Sequence, residues 1–394
     1  MTTRSRRAAL ATLLTFGLSA PLLGAASVSS TRSRPLSDRG TDGSELALPP
    51  LAGPYPVGRR VLHLVDRHRA DPWVSTAANR ELMVSLSYPA RSTGSRRAAY
   101  MTVDEAQLLL VARGLGGIVP AVVVAGTRTH AQVSASPASG RFPLVLLSPG
   151  FSMPRSTLTS LADDLAGRGY VVASVDHAYE SVGTQFPGGR ILTCAACEQV
   201  NTPAQEASAV RGRAADLSYV IDELTSYQRT RVLSGMIDPR RIGIAGHSIG
   251  GAAAAATMAT DPRVRAGVDL DGDFFVHPAG AGLGRRPFMM LGADSTHGPD
   301  GHDTDWPEAW SHLHGWRRWL TVTGAEHFSF TDLPYLADQL GLSDPAVSLS
   351  GVRGWSITRD YVTAFFDRHL RELPRPILDG PTASEHEVVF RDGV

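Results

Sequence analysis

The chain contains no lysine: all 38 of its basic residues are arginine, and 38 acidic residues bring the formal net charge to zero. That balance leaves no basic surplus pointing to nucleic acid or to an anionic membrane surface. The arginine-only usage is read as codon bias of a GC-rich bacterial genome rather than as a functional device. Cysteine is nearly missing as well. Cys194 and Cys197, in Cys-Ala-Ala-Cys, are the only two. Zinc would need further ligands from a second pair, so a disulfide that staples a loop is expected, the common fate of such a pair in an exported protein. Beyond the amino-terminal segment no apolar run is long enough to span a membrane. No internal repeat and no second domain can be traced. What remains is a chain of 394 residues, 43% apolar and 19% charged, ample for one large α/β domain.

The amino-terminal segment stands apart from the fold. Arg4, Arg6 and Arg7 precede an apolar stretch from Ala8 to Leu23, and Gly24-Ala25-Ala26 supplies small residues for cleavage. This is the pattern of a secretory signal peptide over residues 1–26. Ser5-Arg6-Arg7 leaves a twin-arginine route open beside the Sec route. Ser19 and Pro21 interrupt the apolar run and disfavour a membrane anchor. Residues 27–54, rich in Ser, Arg, Gly and Pro, read as a disordered linker. Residues 55–394 then form the folded domain, and the protein is expected outside the cell.

Apolar runs alternate with helical patterns from there on. Val61–Val65 and Leu82–Tyr88 are strand-like, and Tyr100–Gly114 predicts a short helix bordering the substrate entrance or packed on the surface. Pro143–Leu147 and Tyr170–Val175 are continuous apolar runs, as expected of strands buried on both faces. Between them Leu158, Leu161 and Leu165 predict a helix. Val210, Ala214, Leu217, Ile221 and Leu224 share one helical face. Further strands are expected at Val264–Leu270, Phe288–Leu291 and Trp319–Val322, and a last helix at Thr358–Leu370. The pattern predicts a mostly parallel, doubly wound sheet flanked by helices.

Gly246-His247-Ser248-Ile249-Gly250 fits G-x-S-x-G, between a β-branched strand and an alanine-rich helix. A serine on a tight strand-to-helix turn projects its hydroxyl above the sheet edge, and the N–H groups that follow face a developing oxyanion. The bland alternative is a turn whose serine only caps a helix. A serine nucleophile needs a base and an acid, met in the chain order Ser, acid, His on this type of sheet. Of the 13 histidines, His177 and His327 follow strands closely. His177 precedes Ser248, so His327 is the candidate base, and His247 is read as packing. For the acid, Asp269, Asp271 and Asp273 end one strand and Asp294 ends the next. Spacing alone does not choose among them.

These residues resemble the bacterial branch of the plasma-type platelet-activating factor acetylhydrolase and lipase family within the α/β-hydrolases. The resemblance runs from about Gly53 to the carboxyl end. It is carried by Ser148-Pro-Gly-Phe151, Val175-Asp-His177, Gly246-His-Ser-Ile-Gly250, Gly267-Val-Asp-Leu-Asp271 and His327-Phe-Ser-Phe-Thr-Asp332. It implies an α/β-hydrolase fold and the triad Ser248, Asp271, His327, with Asp294 as the alternative acid. It also implies an oxyanion hole from the backbone N–H groups of Ile249 and Phe151. Pro149 stands where the family usually has His of a His-Gly pair; only Pro149 itself loses its N–H. The implied activity is cofactor-free hydrolysis of lipid or short-acyl esters through an acyl-enzyme, with transient lipid-surface contact as a possible accompaniment. Phe151, Met153, Phe274, Phe275 and Phe328 are candidates for an acyl pocket or equally for the core.

Two rival functions remain at this point: a cutinase-like polyester hydrolase on the same scaffold, and a catalytically silent lipid-binding protein. One further cluster, His297, Asp300, His302, Asp303 and Asp305, carries metal-capable side chains. Its irregular spacing and Gly/Pro content favour a solvated loop over a metal or calcium site; no metal is assigned.

Overall fold

The computed structural model of the chain describes residues 45–94, 96–226, 234–276, 282–298, 301 and 305–391. The expected signal peptide and the linker up to Ser44 lie outside them. The linker ends earlier than its composition indicated. Within residues 45–54, Leu46 and Leu48 are buried, and the Leu48 N–H donates to the Arg128 carbonyl at 2.9 Å. Residues 45–54 therefore belong to the packed chain, not to a linker.

Ten strands share one sheet. In chain order they are β1 (Val57–Asp66), β2 (Arg80–Pro89), β3 (Gln132–Val133), β4 (Phe142–Ser148) and β5 (Val171–His177), then, after a small hairpin, β8 (Ile237–His247), β9 (Val264–Leu270), β10 (Phe288–Ala293), β11 (Arg317–Val322) and β12 (Val388–Phe390). The hairpin is β6 (Thr184–Gln185) with β7 (Ile191–Leu192). Across the sheet the order is β12-β11-β10-β9-β8-β4-β5-β2-β1-β3. Neighbours from β5 through β4, β8, β9 and β10 to β11 are parallel. β2 and β12 join this core antiparallel. This is the mostly parallel sheet that the alternating pattern predicted, in the α/β-hydrolase arrangement that the resemblance implied.

Every residue of β4 and β5 is buried, because helices cover both faces. Side-chain alternation sends Val145, Leu147 and Val172 to one face, against Leu161 and Leu165 of α3 (Thr159–Gly167) and Tyr361, Val362 and Phe365 of α9 (Gly351–Leu370). Leu144, Leu146 and Val171 face the other way, against Leu217 and Ile221 of α4 (Pro203–Thr225) and Ala253 to Ala255 of α5 (Ile249–Thr260). The helix expected over Tyr100–Gly114 is α1 (Val103–Ala112), opened by a reciprocal Thr102–Glu105 capping box; α2 (Ala121–Ala125) follows. Helix α9 begins seven residues before the predicted Thr358. Ser350 caps it, and a side chain on Gly354 would lie 2.7 Å from the Ser329 carbonyl oxygen. Glycine there permits close packing rather than breaking the helix.

The stretch read as a solvated loop around His297 is corrected in its described parts. His297 closes α6 (Asp294–His297), Trp306 lies in α7 (Asp305–His312), and both side chains are buried and stacked at 3.9 Å. The Trp306 indole N–H donates to the Gly272 carbonyl at 2.7 Å and that of Trp319 to the His297 carbonyl at 3.1 Å, which anchors both segments. Asp300, His302 and Asp303 lie outside the described residues. Helix α8 (Asp332–Leu340) precedes α9 and closes the list of helices among the described residues. The expected disulfide joins Cys194 and Cys197.

Candidate active site

The carboxyl ends of β8, β9 and β11 bring three side chains to one edge of the sheet. Ser248 follows β8 at φ 57°, ψ −131°, a conformation few non-glycine residues adopt. The strain persists because the turn is pinned on both sides. The Ser248 N–H donates to the Leu270 carbonyl at 2.8 Å, and the Gly251 N–H donates to the Ser248 carbonyl at 2.7 Å. The glycines of the five-residue pattern are steric requirements. A Cβ on Gly246 would sit 2.1 Å from the Gly250 carbonyl, and one on Gly250 2.1 Å from the Ser148 carbonyl oxygen. Strand, turn and helix thus pass closer than any side chain allows.

Asp271 leaves β9 in a left-handed conformation, φ 59°. Its backbone N–H donates to the Leu291 carbonyl at 3.0 Å, which turns its carboxylate along the sheet edge. One carboxylate oxygen accepts from His327 Nδ1 at 2.6 Å; the other accepts the Ala293 N–H at 2.6 Å and lies 3.4 Å from His297 Nε2. Burial alone would raise this carboxyl. The His327 hydrogen bond, the charges of His297 and His327, and the Ala293 N–H outweigh it and hold the group down at about 2. A carboxylate that stays ionised keeps the His327 proton on Nδ1 and leaves Nε2 as the basic face.

Asp294 is engaged elsewhere: it accepts from Thr321 Oγ1 at 2.7 Å and from Arg391 at 2.5 Å. Asp269 is buried beside the elbow and accepts the Gly272 N–H at 3.0 Å. Of the carboxylates weighed from spacing, Asp271 is the one bonded to His327.

His247, read as packing, does more. Its ring lies 4.7 Å from that of His327, and its Nε2–H donates to the His327 carbonyl at 2.7 Å. Burial and the adjacent His327 push the His247 imidazole down to about 3, so it remains a neutral tether. Arg113, the C-cap of α1, stacks over Phe328 with its guanidinium 4.2 Å from the ring centre. This places α1 beside the loop that bears His327. Sequence reading missed both links and the His297 contact, since each joins segments far apart in the chain.

The two N–H groups expected to face an oxyanion lie on the same edge. Ile249 opens α5, and its N–H is one of the first four that an α-helix leaves without an internal acceptor. Phe151 lies in the turn after β4, closed by the Met153 N–H donating to the Gly150 carbonyl at 3.2 Å. Of the candidate pocket side chains, Met153 and Phe274 are buried, whereas Phe151, Phe275 and Phe328 are partly open. Among the described residues no group of three or more His, Cys, Asp or Glu could hold a metal ion.

Comparison with known proteins places this geometry. A probable 1-alkyl-2-acetylglycerophosphocholine esterase of Arthroderma benhamiae is 27% identical, over 89% of this chain and 95% of that protein. A bis(hydroxyethyl) terephthalate hydrolase of Streptomyces coelicolor is 27% identical over 44% of this chain and 43% of its own. The solved ferulic acid esterase of Streptomyces cinnamoneus superposes with a TM-score of 0.80 at 43% identity, covering 88% of this chain and 99% of that one. These relatives act on carboxylic esters, which removes the reading of a silent lipid-binding protein. The model of the family "platelet-activating factor acetylhydrolase, isoform II" matches residues 41–187 and 215–344, more than half of the chain. The chain is a carboxylic ester hydrolase and belongs to that family.

Proposed function

We propose that the protein is an exported serine esterase that cleaves lipid or short-acyl esters through an acyl-enzyme, with Ser248, His327 and Asp271 as its triad. The observation that carries the reading is the 2.6 Å Asp271–His327 bond, on the same sheet edge as a strained Ser248. His327 Nε2 takes the Ser248 proton as Oγ attacks the ester carbonyl, and Asp271 stabilises the imidazolium. The Ile249 and Phe151 N–H groups hold the oxyanion. His327 then gives the proton to the leaving alcohol and activates water for deacylation, which returns Ser248.

Contact with a lipid surface belongs to the same reading. Val103, Val111, Ile118, Val122 and Val123 are large apolar side chains exposed along α1, α2 and their connection. Arg113 ties that hairpin to the His327 loop. Export through the Sec or twin-arginine route accounts for the amino-terminal pattern and for an oxidised Cys194–Cys197 pair. A polyester-hydrolase activity is the second reading; the Streptomyces coelicolor relative hydrolyses bis(hydroxyethyl) terephthalate, a small diester.

Hydrolysis of p-nitrophenyl esters from acetyl to palmitoyl, by the mature protein and by Ser248→Ala, tests the proposal. Loss of about 10⁴-fold or more in the variant is expected. The chain-length profile separates short-acyl from lipase-like use, and release of soluble acid from a polyester film reads the second activity. Equal turnover by Ser248→Ala would overturn the triad.

A further inference from the structure

A hydrogen-bonded Ser–His–Asp chain starts at the ends of β4 and β5, apart from the proposed triad. Ser148, the last residue of β4, has its hydroxyl 3.0 Å from His177 Nε2, and His177 Nδ1 is 2.8 Å from Asp216. All three side chains are buried, so no substrate reaches Ser148 and the chain is not a nucleophilic site. Its bond directions are nevertheless fixed. Asp216 also accepts from Arg80 at 2.8 Å and from Arg69 at 2.8 Å, so it stays ionised and keeps a proton on His177 Nδ1. His177 Nε2 therefore accepts, and the Ser148 hydroxyl donates.

Arg213 completes the arrangement from α4. Its Nε donates to Glu180 at 2.7 Å, while Nη1 donates to the Pro149 carbonyl at 2.5 Å and lies 3.5 Å from the Ser148 hydroxyl. Glu180 is held in turn by Arg80 at 2.7 Å and by Trp73 Nε1 at 2.9 Å. Its backbone carbonyl accepts the Ser152 N–H at 2.9 Å, and the Ser152 carbonyl accepts the Val182 N–H at 3.0 Å. Ser152 is thereby kept at φ 63°. Every anchor falls on Ser148, Pro149 or Ser152. Phe151 sits between them, and proline at 149 offers the loop neither an N–H nor a polar side chain. Its carbonyl is the handle that is left.

We propose that Arg213 and the Ser148–His177–Asp216 chain are positioning residues that set the Phe151 N–H at the distance an oxyanion requires. The inference rests on the Ser248 triad reading and on Phe151 as a donor. Preorganised donors act in the transition state far more than in the ground state. Disturbing the scaffold should therefore cost kcat and spare KM.

The test uses Ser148→Ala and Arg213→Lys in the full mature protein, with Ser248→Ala beside them. Lysine keeps the charge opposite Glu180 but lacks the fork that reaches Pro149 as well. Active sites are counted by stoichiometric phosphonylation, and rates on p-nitrophenyl acetate are expressed per site. The expected result is a fall in kcat of about 10- to 100-fold, with KM within about twofold. Affinity for a trifluoromethyl ketone, which forms an oxyanion adduct, should fall by the same factor, while its methyl ketone counterpart binds unchanged. Unaltered kcat per site in whichever variants fold overturns the inference, as does a loss confined to the fraction of titratable sites. Ser248→Ala distinguishes the two levels. If it is inactive while Ser148→Ala and Arg213→Lys are normal, only the scaffold role fails; if it is active, the triad fails and the inference with it.

Discussion

Replacing Asp271 with asparagine probes the acid with almost no change in shape. Asparagine offers one oxygen and one NH₂, whereas the two carboxylate oxygens of Asp271 both accept, one from His327 Nδ1 and the other from the Ala293 N–H. Facing its NH₂ to Ala293 sets donor against donor in a buried place, at a cost of roughly 1–3 kcal/mol. The amide therefore turns its oxygen to Ala293 and its NH₂ to His327. Nδ1 must then accept, the ring proton moves to Nε2, and the face toward Ser248 can no longer act as a base. A wrong tautomer of this kind lowers kcat by about 10⁴-fold, which corresponds to about 5.5 kcal/mol. Folding changes little, since the second contact survives. The assay is kcat on p-nitrophenyl acetate per titrated site, with Asp294→Asn measured beside it. Asp294 serves Arg391 and Thr321, and its variant should stay within about threefold of wild type. Asp271→Asn within tenfold of wild type, or Asp294→Asn as the more damaged of the two, would refute the assignment.

Burial raises the Asp332 carboxyl to about 7 although it accepts the backbone N–H groups of Thr159 and Ser160. Between about pH 4 and 7 the folded state holds a proton that the unfolded chain has released, so stability falls as pH rises through that window, by on the order of 4 kcal/mol. Asp332→Asn should flatten this slope in urea melts taken from pH 4 to 8; parallel slopes would show that the carboxyl does not titrate there. Gly246→Ala places a methyl group 2.1 Å from the Gly250 carbonyl and should cost about 3 kcal/mol by overpacking, seen as a lower denaturation midpoint. An unmoved midpoint would mean that the elbow tolerates a side chain. The Cys194–Cys197 bridge closes a loop of sequence separation 3, for which chain entropy gives no more than about 2 kcal/mol. The double serine variant should melt slightly earlier in calorimetry and keep its kcat, and a collapse of activity would assign the bridge a larger role.

What the sequence revealed followed from local rules. Pro143–Leu147 and Tyr170–Val175 announced central strands because burial on both faces demands unbroken apolar runs. The elbow was legible because its glycines answer contacts inside the same short segment, as Gly246 and Gly250 show. The proposed acid was not legible from spacing. Period-two alternation put Asp269 and Asp271 on one side of a strand, yet β9 ends at Leu270 and Asp271 turns away at positive φ. Alternation had stopped applying one residue too soon to help. The start of α9 was missed because Gly351 and Gly354 carry a helix-breaking signature, and the packing that requires Gly354 comes from Ser329 on a different segment. The buried ion network was hidden for the same reason. Arg80 meets Asp216 across 136 residues of chain, and nothing in the apolar stripe of α4 marks Arg213 and Asp216, one turn apart, as facing inward.

The two histidine–aspartate pairs, one bonded to Ser148 and one on the sheet edge that carries Ser248, show why motif geometry is not by itself a function. Both carboxylates are held ionised inside the protein. They differ in their surroundings. The His327 side chain is 32% exposed and that of His177 is 1% exposed, so only the former can pass a proton to a substrate and recover it from water. Around Asp216 stand Arg80 and Arg69, and Arg213 borders His177. Burial, with the Arg213 charge beside it, lowers the His177 imidazole and leaves it a neutral strut. Around Asp271 stand a backbone N–H and two histidines, the setting in which the proposed mechanism has His327 take up and release a proton. Burial and neighbouring charge, more than bond order, separate a chain suited to catalysis from one suited to holding a loop still.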